Sequence, residues 1–200
     1  MGHEKLHTGV RREQIAEAAL SLLASEGLPA LSVVKLARRV GIAPSAIYRH
    51  FRSKDEVLFA ALDRFRDTLL GNVTDVCNET PDAIERLTRL LSRQARMIRE
   101  NAAVMPRMAF SAEANGRHPE RKARVREVIK AYIERVADVV RQGQRDGRLR
   151  EDVEPETVAL MILGIIQPAG ILWHMSDGVF DVTRYVERAW KVLRSGIEKT

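Results

Sequence analysis

Apolar residues recur at helical spacing along the whole chain. Residues 11–25 illustrate this with five apolar side chains on one face: Ile15, Ala18, Ala19, Leu22 and Leu23. No alternating strand pattern with hairpin turns is present, and no repeat of 20–50 residues. The pattern therefore predicts an all-α fold of about nine helices.

Capping residues, glycines and prolines predict where the helices begin and end. Thr8 is a possible N-cap of the first helix, Ser32 of the second and Ser53 of the fourth, and Gly41 ends the second. The predicted helices cover approximately residues 11–25, 33–40, 44–51, 54–76, 81–100, 101–114, 119–144, 155–175 and 181–197.

Composition narrows the class of protein. Cys77 is the only cysteine, so no intrachain disulfide can form. We find no run that approaches the roughly 20 apolar residues of a membrane span, and residues 1–10 lack the apolar core of a signal peptide. The expectation is a soluble, cytoplasmic protein.

Positive charge is concentrated in one short segment. The chain carries a net charge of +6, and residues 27–54 contain six cations and no acidic residue: Lys35, Arg38, Arg39, Arg49, Arg52 and Lys54. Most charge runs are solvated helix faces, but a basic patch without acids, beside exposed aromatics, favours a polyanionic partner.

The same segment has the pattern of a helix-turn-helix. Gly41 permits a left-handed turn between two short helices, and Ile42 and Ile47 anchor the turn and the third helix. Six residues then face outward: Pro44, Ser45, Ala46, Tyr48, Arg49 and His50. A helix of this length fits the major groove, which is about 12 Å wide.

Each outward residue suits a particular DNA contact. Arg49 can reach guanine N7 and O6, whereas Tyr48 and His50 suit phosphate oxygens. Lys54, at the start of the fourth helix, and Ser32, at the start of the second, lie where helix N-termini attract phosphate.

The stretch from Arg11 to about Leu62 resembles the N-terminal domain of the TetR family of bacterial repressors. The resemblance rests on "IAEAALSLLASEG" and "LSVVKLARRVGIAPSAIYRHFRSKDEVLFAAL". It implies DNA contacts at Ser32, Ser45, Ala46, Tyr48, His50 and Lys54. Ala46 departs from the hydroxyl residue or glycine often found at its position. The resemblance implies a DNA-binding domain over residues 1–56 and a helical effector-binding and dimerisation domain over residues 57–200.

The last two predicted helices resemble the pair that forms a four-helix bundle between two subunits of this family. The dimer interface predicted from these helices comprises Val158, Ile162, Ile165, Ile166, Tyr185, Ala189, Val192 and Leu193. Gly164, Ala169 and Gly170 would allow close approach of helices. Alternatively, part of this set packs on its own subunit. A dimer would read a palindrome with half-sites about 34 Å apart.

An effector pocket is predicted from adaptable thioethers, aromatics and a few polar groups in the second domain. The candidates are Met97, Asn101, Met105, Met108, Phe110, Met161, Gln167, Trp173 and His174. For any single one of them, an ordinary core position is the competing interpretation. The mixture suggests a medium-sized, largely apolar ligand.

Three functions are compared. A homodimeric, ligand-responsive repressor fits the residues best. An architectural or adaptor protein that binds DNA and recruits a protein partner stays open. An enzyme is disfavoured, since the sequence has no zinc-protease, CxxC, phosphate-loop or nucleophile-elbow motif, and His118 stands alone in a turn. Neither a cofactor nor a metal is expected.

Overall fold

The computed structural model describes residues 2–101 and 118–199, without the side chains of residues 2–7 and 101. Within these ranges the regular structure is eight α-helices, one 3₁₀ turn (Leu28–Ala30) and an isolated bridge between Leu149 and Glu198. The helices are α1 (Gly2–Glu26), α2 (Val33–Val40), α3 (Pro44–Ile47), α4 (Lys54–Glu79), α5 (Ala83–Asn101), α6 (Pro119–Arg145), α7 (Pro155–Met175) and α8 (Val182–Ile197). The all-α prediction is confirmed; the helix predicted over 101–114 lies outside the described residues apart from its first.

Two capping predictions are confirmed and one is wrong. The Ser32 hydroxyl accepts a hydrogen bond from the Lys35 amide at 3.3 Å, and the Ser53 hydroxyl accepts one from the Glu56 amide at 3.1 Å. Thr8 does not cap α1, because the helix starts at Gly2. The residues before Thr8 contain no proline and include good helix formers, so nothing stops the helix there.

The described chain divides into two compact units. One comprises residues 2–67 and 118–128, and the other residues 68–101 and 129–199. Both divisions fall inside a helix, at residue 67 in α4 and residue 128 in α6. The functional boundary at residue 56 stays a prediction.

The core of the first unit is built from α1, α2, α3 and the start of α4. Its fully buried side chains include Ile15, Leu23, Leu31, Leu36, Ile47, Phe51, Leu58 and Leu62. The apolar face predicted for α1 is therefore the face that packs. This core fixes the short α3 from beneath and leaves its other side in solvent.

The second unit has one core, made by the end of α4 together with α5, α6, α7 and α8. Trp190 of α8 donates a hydrogen bond to the Thr88 hydroxyl of α5 at 2.8 Å. At Gly143 in α6, an added Cβ would lie 2.6 Å from the Ala83 Cβ, so the backbone of α6 passes very close to the start of α5.

Helix α7 is more apolar than the sequence analysis allowed. Its 21 residues are long and apolar enough, by length and composition alone, to cross a membrane. The expectation that no such run exists is therefore wrong. Six of its residues, including Ile162 and Ala169, are buried in the core of the second unit, and core helices of soluble proteins have the same composition.

Candidate nucleic-acid interface and effector region

The turn between α2 and α3 has the predicted geometry. Gly41 takes the left-handed conformation, with φ 73° and ψ 37°, and the Ile42 amide donates to the Ala37 carbonyl at 3.0 Å. Helix α3 is shorter than predicted, since it ends at Ile47, and residues 48–50 form a turn. Ile47 and Phe51, 1% and 2% exposed, hold the two ends of this segment in the core.

The residues predicted to contact DNA lie on the solvent side of this segment. The side chains are exposed at Ser32, Pro44, Ser45, Tyr48, Arg49 and Lys54, and half-buried at Ala46 and His50. Tyr48 is 62% exposed, which is unusual for an aromatic residue without a ligand. Ser32, Tyr48 and Lys54 line one shallow cleft between α2, α3 and the start of α4.

The His50 ring is held on one side by the protein. Its Nδ1 atom is buried and has no hydrogen-bond partner among the described residues. Only the other edge of the ring is available to a phosphate. The sequence predicted the residue as an outward donor and missed that half of its ring faces inward.

Most of the positive charges predicted in residues 27–54 have no acidic partner among the described residues. Lys35 is neutralised by an ion pair with Glu26. Within the described part of the chain, no carboxylate lies within ion-pair distance of the five other cations: Arg38, Arg39, Arg49, Arg52 and Lys54. Unpaired cations attract a polyanion without first breaking an internal contact.

A group of possible metal ligands lies near the start of α4. Asp55, His118 and Glu120 place one ligand atom each within 4.8 Å of one another. The sequence left His118 isolated, because Asp55 is far away in the chain. The Asp55 carboxylate accepts a 2.6 Å hydrogen bond from the Arg121 guanidinium, which opposes a cation there. We assign no metal to this group.

The second unit contains a buried polar pair that sequence reasoning missed. The Gln94 amide nitrogen lies 2.5 Å from the Tyr132 hydroxyl, and the two residues are 4% and 2% exposed. Burial raises the pKa of the Tyr132 phenol above its usual 10, so it stays neutral. The available signal was a glutamine on the apolar face of α5.

The Gln94 Oε1 atom of this pair is buried and has no hydrogen-bond partner among the described residues. A buried amide in that state costs about 1–3 kcal/mol and favours any group that can bond to it.

The predicted effector residues that the structure describes differ in burial. Met97 is half-buried and its sulfur lies 3.0 Å from the Asn72 amide nitrogen. Gln167 and Trp173 are half-buried, whereas Met161 and His174 are exposed. Met105, Met108, Phe110 and the side chain of Asn101 lie outside the described residues. The pocket stays a prediction.

The predicted dimer residues divide between core and surface. Val158 and Ile162 are 2% and 0% exposed within this chain, so they pack in its own core; the dimer interface stays a prediction. Ile165 is also buried; Ile166, Tyr185, Ala189 and Leu193 are half-buried, and Val192 is 74% exposed. The sequence missed Leu160, 56% exposed beside Met161 and Gly164, because α7 is apolar on all sides.

Comparison with known proteins identifies the architecture. The family model described as "Bacterial regulatory proteins, tetR family" matches residues 15–61. The model described as "Tetracyclin repressor-like, C-terminal domain" matches residues 80–197, more than half of the chain. The chain belongs to the tetR family. This tetR-family protein is a transcriptional regulator that binds DNA.

Two relatives and one solved structure match this chain over nearly its whole length. A fatty acid metabolism regulator protein of Bacillus subtilis is 23% identical over 186 residues, 92% of this chain and 94% of that protein. The nucleoid occlusion factor SlmA of Vibrio vulnificus is 28% identical over 193 residues, 94% of this chain and 96% of that protein. The structure of FadR from B. subtilis in complex with stearoyl-CoA superposes with a TM-score of 0.76 at 22% identity, over 92% of this chain and 97% of that one.

Proposed function

We propose that this regulator is a repressor that reads a palindromic operator with the exposed surface of α3 and its flanking turns. The observation that carries the proposal is Tyr48, which is 62% exposed between the buried anchors Ile47 and Phe51 and lines one cleft with Lys54. The proposed contact residues are Ser32, Pro44, Ser45, Ala46, Tyr48, Arg49, His50 and Lys54.

Selection of bound duplexes from a random DNA pool, with the full-length protein, tests this proposal. We expect a palindrome with half-sites about one turn apart. Tyr48→Ala and His50→Ala should each weaken binding to the selected duplex. Lys54→Ala should weaken binding to every duplex about equally, because phosphate contacts carry no base information. Binding that stays independent of sequence would refute an operator-reading repressor.

We also propose that release is triggered by a largely apolar effector that carries a hydrogen-bonding group. The incompletely paired contact Gln94–Tyr132, buried among the apolar residues of the second unit, supports this class of ligand. The relatives named for fatty acid metabolism and the stearoyl-CoA complex support a long-chain acyl compound in particular. The predicted residues around Met97 and Trp173 would contribute the apolar lining.

The effector proposal is tested with stearoyl-CoA as the probe and coenzyme A as the matched ligand without an acyl chain. Stearoyl-CoA should release the selected operator and raise the thermal midpoint, whereas coenzyme A should do neither. The double variant Gln94→Leu, Tyr132→Phe replaces both polar groups with apolar ones of similar size, so it should fold but respond more weakly. An unchanged response would remove this pair from the effector site.

A second candidate is an architectural or adaptor protein that binds DNA at many sites and recruits a protein partner. The 28% identity to nucleoid occlusion factors over nearly the full chain favours this function over that of an enzyme. Chromosome-wide binding at many similar sites, with no release by any acyl compound, would support this candidate. Binding at a few promoters with ligand release would support the repressor.

We propose no catalytic activity for this chain, and a cytoplasmic location on the nucleoid. Membership of a family of regulators supports both.

A further inference from the structure

One arginine connects α1 to the end of the reading segment, residues 44–51. The Arg12 guanidinium lies over the Phe51 ring, 4.2 Å from its centroid. The same group donates a hydrogen bond to the His50 carbonyl and another to the Glu56 carboxylate, the latter at 3.0 Å. Arg12 thus contacts three residues that lie 38–44 positions away in the chain.

Glu56 continues this connection into α4. Its second carboxylate oxygen accepts a 2.7 Å hydrogen bond from the Arg52 amide, and its own amide is capped by the Ser53 hydroxyl. Arg12 and Glu56 therefore enclose residues 50–53, the link between the reading segment and α4. We call this pair the clamp.

The reading segment needs such external support. Helix α3 has four residues, too few to be stable alone, because helix nucleation is unfavourable and each hydrogen bond added is weak. Ile47 and Phe51 fix its inner side. The angle at which Tyr48 and His50 are presented then depends on where the His50 carbonyl and the Arg52 amide are held.

We propose that Arg12 is a positioning residue for DNA reading: with Glu56 it sets the orientation of the reading segment and thereby the preference for the operator over unrelated sequences. This inference rests on the proposed function. The competing role for a cation here is a direct phosphate contact, which would raise affinity for all DNA alike.

The test uses the full-length protein and two duplexes of equal length: one selected from a random pool and one shuffled. The variants are Arg12→Gln, Arg12→Lys and Glu56→Gln. Arg11→Gln is the matched control, because Arg11 is the neighbouring half-buried cation and has no ion pair within the described residues. Affinity is measured by fluorescence anisotropy at several salt concentrations.

If the clamp positions the reading segment, Arg12→Gln should lose about tenfold in affinity for the selected duplex, relative to Arg11→Gln, with no difference on the shuffled duplex. Arg12→Lys should not restore it, since a single ammonium nitrogen lacks the planar fork whose two NH2 groups reach the His50 carbonyl and the Glu56 carboxylate separately. Glu56→Gln should also weaken operator binding, although it removes a negative charge.

If Arg12 instead contacts a phosphate directly, the variants should change DNA affinity differently. Glu56→Gln would then tighten binding to both duplexes, and Arg12→Gln would reduce the salt dependence by about one counterion. Either result would overturn the proposal, as would equal behaviour of Arg12→Gln and Arg11→Gln.

A measurement without DNA separates this inference from the proposed function. Amide hydrogen exchange at residues 49–53 should be faster in Arg12→Gln, while the buried stretches of α1 and α4 stay protected. Unchanged exchange would refute the clamp whether or not an operator is found. If exchange is faster in Arg12→Gln but no operator can be selected, the proposed repressor function is rejected. A role of Arg12 in reading DNA is then rejected with it.

Discussion

Among single residues, Gly41 is needed for its backbone and not for space. An added Cβ there meets nothing within 4 Å, but φ is 73°. Gly41→Ala should therefore destabilise the protein by about 1–2 kcal/mol, since a left-handed conformation strains an alanine. Gly41→Asn should cost less, because asparagine tolerates this conformation. Chemical unfolding measures both, and equal costs would contradict a backbone origin.

Gly143 shows the reverse, a glycine needed for space. A Cβ would lie 2.6 Å from Ala83 and 2.7 Å from Leu149, both in the well-packed second unit. Gly143→Ala should cost about 1–3 kcal/mol through overpacking.

The control for Gly143 is Gly71, inside α4, where an added Cβ meets nothing within 4 Å. Gly71→Ala should be stabilising by about 0.5–1 kcal/mol, because alanine favours the helix. Thermal or urea midpoints give the comparison. Similar effects of the two substitutions would contradict a close approach of helices at Gly143.

Residue roles were predictable only where the cause is local. Ser32, Ser53 and Gly41 act on backbone groups within five positions of themselves, so their sequence neighbours reveal them. Arg12 acts on residues 38–44 positions away, and no local pattern distinguishes it from Arg11.

Among the helices, the start of α5 should make stability sensitive to acid. The pKa of Asp82 is lowered from 3.8, first by the hydrogen bond from the Glu85 amide, and further by Arg148 at 2.7 Å. A lowered folded pKa means that this stabilisation is complete above pH 3.8 and is lost as the pH falls through the folded value.

Asp82→Asn tests this effect, since asparagine still caps the helix but cannot titrate. The variant should lose less stability than the wild type when the pH falls below 3.8. Urea midpoints above and below that pH measure the difference. Asp146→Asn, an exposed acid without an ion pair in the described residues, is the control and should follow the wild type.

Helix α7 shows why amphipathic patterns predict some faces and not others. Its apolar residues surround the whole helix, so the pattern could not separate buried Ile162 from exposed Leu160. Helix α1 has one apolar face and one polar face, and there the predicted core is the observed one.

For the molecule as a whole, the exposed apolar surface of α7 and α8 should mediate dimerisation. Leu160, Met161 and Val192 are 56%, 52% and 74% exposed, and Gly164 leaves room for a second helix. The double variant Leu160→Lys, Val192→Lys should be monomeric in light scattering and bind the selected operator weakly.

Val10→Lys is the matched control, because Val10 is 51% exposed on α1 in the other unit. It should remain a dimer. If the double variant Leu160→Lys, Val192→Lys is still a dimer, the interface lies on another surface.

Local sequence is enough to specify the helices, most of their caps, the concentration of positive charge and the outward position of Tyr48 and Arg49. These features arise from periodicity and from backbone chemistry within one or two helical turns. Helix packing was needed to establish which side of α7 is core, that Gln94 and Tyr132 pair inside the second unit, and that Arg12 reaches His50 and Glu56. Contacts of this kind join distant positions in the chain, and their geometry depends on how whole helices lie against one another.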